Sequence, residues 1–251
     1  MKLIIPNNIF SKMISSVLSE TSVELLYQKS SLIHKDLEHN TTAVAMIPSL
    51  DLINQRNLFV SRKFAISFTG ALSNSYLYFV KGHKDFKKIN LLGDYNLNDA
   101  VLAKILFIEK YFSAVELVSE IENLFDSSKD YLISGDDNFD KYNYETAISL
   151  AELISDMIEM PYVNFIFVSQ SKESLIEFNN CLDNINDKIM KNVESVMASS
   201  NFTILARKFI TENINSVYFD VTKNEINSIY ELIKLLFFHG MIDDIFDIKY
   251  I

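Results

Sequence analysis

The chain has 251 residues, 49% of them apolar and 22% charged, which is the composition of a folded globular protein of one or two domains. Acidic side chains outnumber basic ones by 33 to 23, and the net charge of −10 argues against nucleic acid and against an anionic membrane as partners. A single cysteine, Cys181, excludes an internal disulfide and a cysteine-built metal site.

The longest uncharged run, residues 64–80, carries Ser67, Thr69, Gly70, Ser73, Asn74 and Ser75, too many polar groups for a span of roughly 20 apolar residues. At the start, Leu3-Ile4-Ile5 lies between Lys2 and Pro6, far short of a signal core of about 7–15 apolar residues. With a native start, the expectation is a cytoplasmic protein.

Strands and helices alternate along the chain. Residues 3–5 read as a short buried strand. Asn7 or Asn8 then caps a helix with Ile9, Met13 and Val17 on one face. Residues 23–27 and 43–47 read as strands, the latter closed by Pro48-Ser49. Residues 65–79 read as two strands with a bend at Gly70. Residues 89–92 form a strand that leads through Gly93-Asp94-Tyr95 to Asn96, with Asp99 three residues on: a cap and an N3 acid. Val101, Leu102, Ile105 and Ile108 follow at helical spacing. Short strands are expected at 114–118 and 131–133, a helix from about Tyr144 to Pro161, and a strand at 162–168. From Ser171 the pattern turns helical, with Leu175, Phe178, Leu182, Ile185, Ile189 and Val193 on one apolar face. Thr222 and Glu225 form a capping box for a helix that ends near Gly240.

This alternation fits an α/β fold with either one sheet or two lobes around a cleft. Six segments, in order, bear on the choice. They are 42–50 (TAVAMIPSL), 65–79 (AISFTGALSNSYLYF), 131–139 (YLISGDDNF), 148–168 (ISLAELISDMIEMPYVNFIFV) and the pieces 214–219 and 238–241. In order and spacing this set resembles the chorismate dehydratase family of menaquinone biosynthesis by the futalosine route. The resemblance implies a two-lobed type II periplasmic-binding-protein-like fold with a cleft between the lobes. Residues 1–80 and 166–251 would make lobe I, and 81–165 lobe II. It implies a cytoplasmic carbon–oxygen lyase without cofactor that removes water from chorismate. The substrate's own enolpyruvyl carboxylate would serve as base, and the protein would catalyse by positioning.

The partner expected is therefore a small anionic molecule. With a net negative chain, its carboxylates must be held by local donors such as amides, hydroxyls and helix N-termini. Asn8 and Ser73 are the catalytic candidates that the resemblance suggests. Asn7, Ser49, Asn74, Tyr95, Asn96, Asp136 and Asn164 are the candidate substrate-binding residues. Each has a plain structural role as well: Asn7, Asn8 and Asn96 as helix caps, Asp136 as a cleft wall, Asn164 as a satisfied core residue.

Residues 93–98 depart from the family's hydroxyl-rich loop. Asp94 and Asp99 stand there, no Arg is present, and a negative charge within ~4–6 Å opposes a bound carboxylate. This departure motivates a second expectation, a non-catalytic cytoplasmic small-molecule binding protein on the same fold. A third is a protein–protein module that has kept the fold and lost the cleft. His34, His39, His83 and His239 fall in no shared motif, the acidic pairs lack metal-cage spacing, and Cys181 has no adjacent base.

Overall fold

The computed structural model describes residues 1–18, 23–83, 85–120, 124–142 and 144–251. The chain runs β1 (Lys2–Pro6), α1 (Ile9–Leu18), β2 (Glu24–Gln28), α2 (Ile33–His39), β3 (Val44–Pro48), β4 (Phe59–Phe68), β5 (Ser75–Tyr78), β6 (Lys88–Gly93), α3 (Leu97–Tyr111) and β7 (Glu116–Ser119). It continues with β8 (Tyr131–Ser134), α4 (Asp137–Asp140), β9 (Ile148–Ser149), α5 (Leu150–Ile158), β10 (Tyr162–Ser169), α6 (Lys172–Cys181), α7 (Ile185–Ser199), α8 (Ile204–Asn213), β11 (Val217–Asp220), α9 (Lys223–Phe238) and β12 (Lys249–Tyr250).

These strands form two sheets. The first has the order β11-β4-β10-β3-β1-β2, with β12 added on β4; the second has the order β7-β6-β8-β5-β9. The chain leaves the first sheet after Phe68 and returns to it at Tyr162. Strand β5 pairs in the second sheet, with β8 and β9, although the sequence reading put residues 1–80 in the first lobe.

In the first sheet β1 runs parallel to β2 and β3, and in the second β6 runs parallel to β7 and β8. Parallel strands covered on both faces read as unbroken apolar runs, as in the wholly buried VAMIP of β3. Strand β10 is buried along all eight residues because it lies inside the first sheet, antiparallel to β3 and β4. Gly93 ends β6 at φ +78°, and a Cβ there would meet the Ser134 carbonyl oxygen at 2.1 Å, so only glycine lets β6 and β8 end side by side.

Both expected capping boxes form, Asn96 with Asp99 on α3 and Thr222 with Glu225 on α9. Three expectations need correction. The helix expected from Tyr144 begins only at Leu150, because Ser149 pairs with Tyr76 in the sheet and then caps α5 through Glu152 N at 3.1 Å. The apolar face from Leu175 to Val193 is shared by two helices, broken where Asn184 takes a left-handed conformation at φ +53°. Strand β4 starts at Phe59, earlier than expected, because the exposed Arg62 and Lys63 mask it in the sequence.

One continuous buried cluster runs through both sheets. It passes from Leu3, Phe10 and Phe68 through Leu72 and Tyr76 at the crossing to Leu91 and Ile133. Phe10 meets Phe68 edge-on at 5.0 Å. Each such fully buried side chain contributes about 1.5–3 kcal/mol, so the crossing is a packed part of the core.

Candidate functional site

Parallel pairing aligns the C-terminal ends of β1, β2 and β3 along one edge of the first sheet. Just beyond those ends stand Asn8, Ser30 and Ser49. The second sheet aligns the ends of β6 and β8 in the same way, and beyond them stand Asp94–Asn98 and Gly135-Asp136. Loops at such strand ends are where α/β folds place ligands.

Three polar bridges join the two edges. Asp136 Oδ1 accepts the Ile9 backbone N–H at 2.7 Å, the first residue of α1, while Oδ2 takes Lys12 Nζ at 2.9 Å. Asp94 accepts the Ser30 N–H at 3.0 Å and the Ser30 hydroxyl at 2.7 Å. Asn98 is completely buried; its Oδ1 accepts the Leu50 N–H at 2.9 Å, and its Nδ2 donates to the Asn164 carbonyl at 2.8 Å. The same Nδ2 lies 3.1 Å from Ser49 Oγ and 3.2 Å from the Tyr162 hydroxyl.

Two donors within this frame are buried and unpaired: Asn8 Nδ2 and Asn96 Nδ2. Each belongs to an asparagine whose Oδ1 is already spent on a helix start. Asn8 Oδ1 accepts Ser11 N at 2.9 Å, and Asn96 Oδ1 accepts Asn98 N at 2.9 Å. A buried unpaired amide N–H costs roughly 1–3 kcal/mol, which a ligand oxygen would relieve. One of these amides comes from each lobe, and each sits at the positive end of a helix.

The remaining sequence candidates fall in different places. Ser49 and Asn164 are drawn together by Asn98; Ser49 also donates to the Val163 carbonyl at 2.7 Å. Asn7 is exposed. Tyr95 turns its hydroxyl to Ser119 Oγ at 2.7 Å, toward β7. Ser73 is engaged by backbone: its Oγ donates to the Ser75 carbonyl at 2.8 Å and accepts from Ser75 N and Ala151 N. Asn74 is buried beside it, and its carbonyl accepts Gly135 N at 2.8 Å.

Asn98, Ser30 and Lys12 were not singled out in the sequence. Asn98 carries a faint signal, a second asparagine inside the first turn after the cap. Ser30 and Lys12 carry none.

Charge in the site is tuned mainly by burial. Burial pushes the Asp99 carboxyl up to about 6, against hydrogen bonds from Ser75, Asn96 N and Ser134 that favour the ionised form. Burial also raises Asp136 above the ordinary carboxylate value, against the pull of Lys12. Asp51, two residues after Ser49, is pushed up to about 7 by burial alone.

A cavity of about 460 Å³ opens beside the Lys12–Asp136 bridge, lined also by Ser16, Asp140, Ser199 and Asn201. A larger one, about 570 Å³, lies between Tyr76, Tyr144 and Phe209 and includes none of the bridging residues. The smaller one adjoins the Lys12–Asp136 bridge, and neither cavity is lined by Asn8 or Asn96. Among the described residues, no group of three His, Cys, Asp or Glu side chains is placed to hold a metal ion. Nor is any helix among them long and apolar enough to cross a membrane.

No protein-family profile matches the chain. No curated protein matches it in sequence. Solved structures do match in three dimensions. Protein AF1704 from Archaeoglobus fulgidus superimposes with a TM-score of 0.63 at 12% identity, over 96% of this chain and 98% of that one. The alkanesulfonate-binding protein SsuA from Xanthomonas axonopodis pv. citri, bound to MOPS, gives 0.60 at 8% identity, over 96% and 93%. The Candida albicans CA3427 gene product, described as having the generic periplasmic binding protein fold, gives 0.56 at 11% identity, over 97% and 91%. This chain has the periplasmic-binding-protein fold. The periplasmic-binding-protein fold accounts for the two sheets, the two crossings and the facing strand ends.

Proposed function

We propose that this protein is a chorismate-dehydratase-like lyase that takes its substrate between the lobes. The observation that carries this reading is the pair of unpaired buried amides, Asn8 Nδ2 and Asn96 Nδ2, one from each lobe. They are uncharged donors of the kind that orient a carboxylate without a cationic side chain. The reaction asks no strong base of the protein. The substrate's enolpyruvyl carboxylate takes the ring proton and passes it to the departing hydroxyl, so that water leaves, the carboxylate is regenerated and the ring becomes aromatic. The protein's work is to hold the carboxylate over that proton. On this reading the enzyme acts in the cytoplasm. We take the lobe boundaries at the two crossings, residues 69–74 and 159–161, so that β5 goes with lobe II.

A second reading is favoured by Asp136, whose carboxylate lies on the first N–H of α1 where a ligand anion would bind. It makes the chain a non-catalytic small-molecule binding protein, and the MOPS-bound SsuA of similar fold lends it support.

The experiment incubates purified protein with chorismate and follows its loss and the aromatic product by chromatography. Asn8→Ser and Asn96→Ser are run beside it, since serine keeps the cap and removes the amide donor. Turnover lost in both variants supports the lyase. Thermal stabilisation by chorismate without turnover favours the binding protein. Neither turnover nor stabilisation by chorismate, with folding intact, removes the lyase, and no stabilisation by a panel of anionic metabolites removes the binding protein.

A further inference from the structure

The larger cavity, about 570 Å³, lies between Tyr76, the segment before β9 and helix α8. That is the size of a small-molecule site. Aromatic rings form its inner wall. Tyr76 and Tyr144 are buried, and Tyr144 packs on the half-buried Phe209 of α8 with ring centres 4.6 Å apart and 32° between the planes. The Tyr76 hydroxyl is already spent on backbone, accepting Ser73 N at 3.0 Å and donating to the Ala71 carbonyl at 3.1 Å. What Tyr76 has left for an occupant is its ring. At the mouth stand Ile148 and Leu205, apolar side chains left 37% and 64% exposed, which an apolar body in the cavity would cover. The charged groups lining it are three glutamates, Glu145, Glu152 and Glu212, and one lysine, Lys208, which lies 3.8 Å from Glu212. Among the described residues Glu152 has no ion-pair partner. Its charge reaches the ring wall: burial raises the Tyr76 hydroxyl above its ordinary value, and Glu152 adds to the rise.

We propose that this cavity is a second binding site and that it takes a small primary ammonium compound with an aromatic body, an arylalkylammonium. The body packs against Tyr76, Tyr144 and Phe209, and the ammonium is held by Glu152. Ring faces attract a cation and repel an anion. A carboxylate without a basic partner adds a charge-assisted hydrogen bond that a neutral alcohol gains only weakly. The site stands independently of the anion cleft. None of the interlobe bridging residues lines it, and its chemistry is of the opposite sign.

The test is titration calorimetry at low ionic strength with phenethylammonium, the neutral 2-phenylethanol and the anionic 3-phenylpropanoate, three probes of similar shape. The ammonium should bind roughly threefold to thirtyfold tighter than the alcohol, and the anion weakest of the three. Glu152→Gln should bring the ammonium down to about the level of the alcohol. Glu173→Gln is the matched control, because Glu173 stands in the first turn of α6 as Glu152 does in α5, away from the cavity, and it should change nothing. Phe209→Leu keeps an apolar wall and removes a ring, so it should lower the ammonium's affinity more than the alcohol's. Leu205→Lys places a positive charge at the exposed mouth without touching the core, should weaken the ammonium tenfold or more, and serves if Phe209→Leu does not fold. Equal binding of the three probes, or no binding of the ammonium at millimolar concentration, overturns the proposal. A loss in Glu173→Gln equal to that in Glu152→Gln also overturns it, since the net charge of the chain would then be the attraction. Loss of chorismate binding or turnover bears on the cleft alone and leaves each of these outcomes readable.

Discussion

Asn98, on the first turn of α3, donates through Nδ2 to the backbone carbonyl of Asn164 on β10 at 2.8 Å, tying a helix of the second lobe to an inner strand of the first. Its Oδ1 holds Leu50 N at the same time, so one fully buried amide serves both sides of the interlobe boundary. Replacing it with alanine strands at least one donor and one acceptor. Asn98→Ala is expected to cost about 2–4 kcal/mol in denaturant unfolding, against well under 1 kcal/mol for a surface asparagine.

Ser73→Ala tests a different point. The Ser73 hydroxyl is shared by Ser75 N, Ser75 O and Ala151 N, so its removal frays the junction of β5 and α5. The expected result is a loss of about 1–3 kcal/mol of stability with any ligand affinity little changed. A normal melting temperature with abolished turnover would instead make Ser73 a catalytic residue.

Gly93→Ala should be among the most damaging single changes. The new Cβ would lie 2.1 Å from the Ser134 carbonyl oxygen in a backbone conformation at φ +78°. A loss of about 3 kcal/mol or more is expected, with failure to accumulate folded protein as the visible outcome.

The pH dependence follows from Asp51 and Asp99, pushed up to about 7 and about 6 by burial. A carboxyl with a raised folded-state pKa binds its proton more tightly folded than unfolded. Each therefore supports stability most below its unfolded value near 4, and that support is lost as pH rises through the folded value. Stability measured by urea unfolding should fall between about pH 4 and 7, by an amount on the order of 2–4 kcal/mol per group. Asp51→Asn should flatten the upper part of this fall and raise stability at pH 8. An unaltered profile in that variant would count against the assignment.

Much of the architecture is legible in the sequence because its signals are local. The capping boxes at Asn96 and Thr222, the apolar runs of β1, β3 and β10, and the glycine at the end of β6 all declare themselves within a few residues. What escapes depends on distant partners. Nothing near Ser149 says that it joins Tyr76 in a sheet before it caps α5. The charged look of Arg62 and Lys63 hides the start of β4, whose place is fixed by β10 and β11. At the site, asparagines at helix starts are readable, and Asn8 and Asn96 do sit there. The bridges of Asp94 to Ser30 and Asp136 to Ile9 span 64 and 127 residues, and no periodicity reports contacts of that separation.

Phe68, the last residue of β4, is paired with Tyr162, the first of β10. The severed ends of the first sheet would therefore already face each other at hairpin distance if residues 69–161 were cut away. By topology the second lobe is a cargo threaded into the ribbon of the first, sharing its buried core. A tight turn spliced from Phe68 to Tyr162, with polar substitutions at the apolar side chains that the cut uncovers, is a direct route to a miniature one-lobed scaffold.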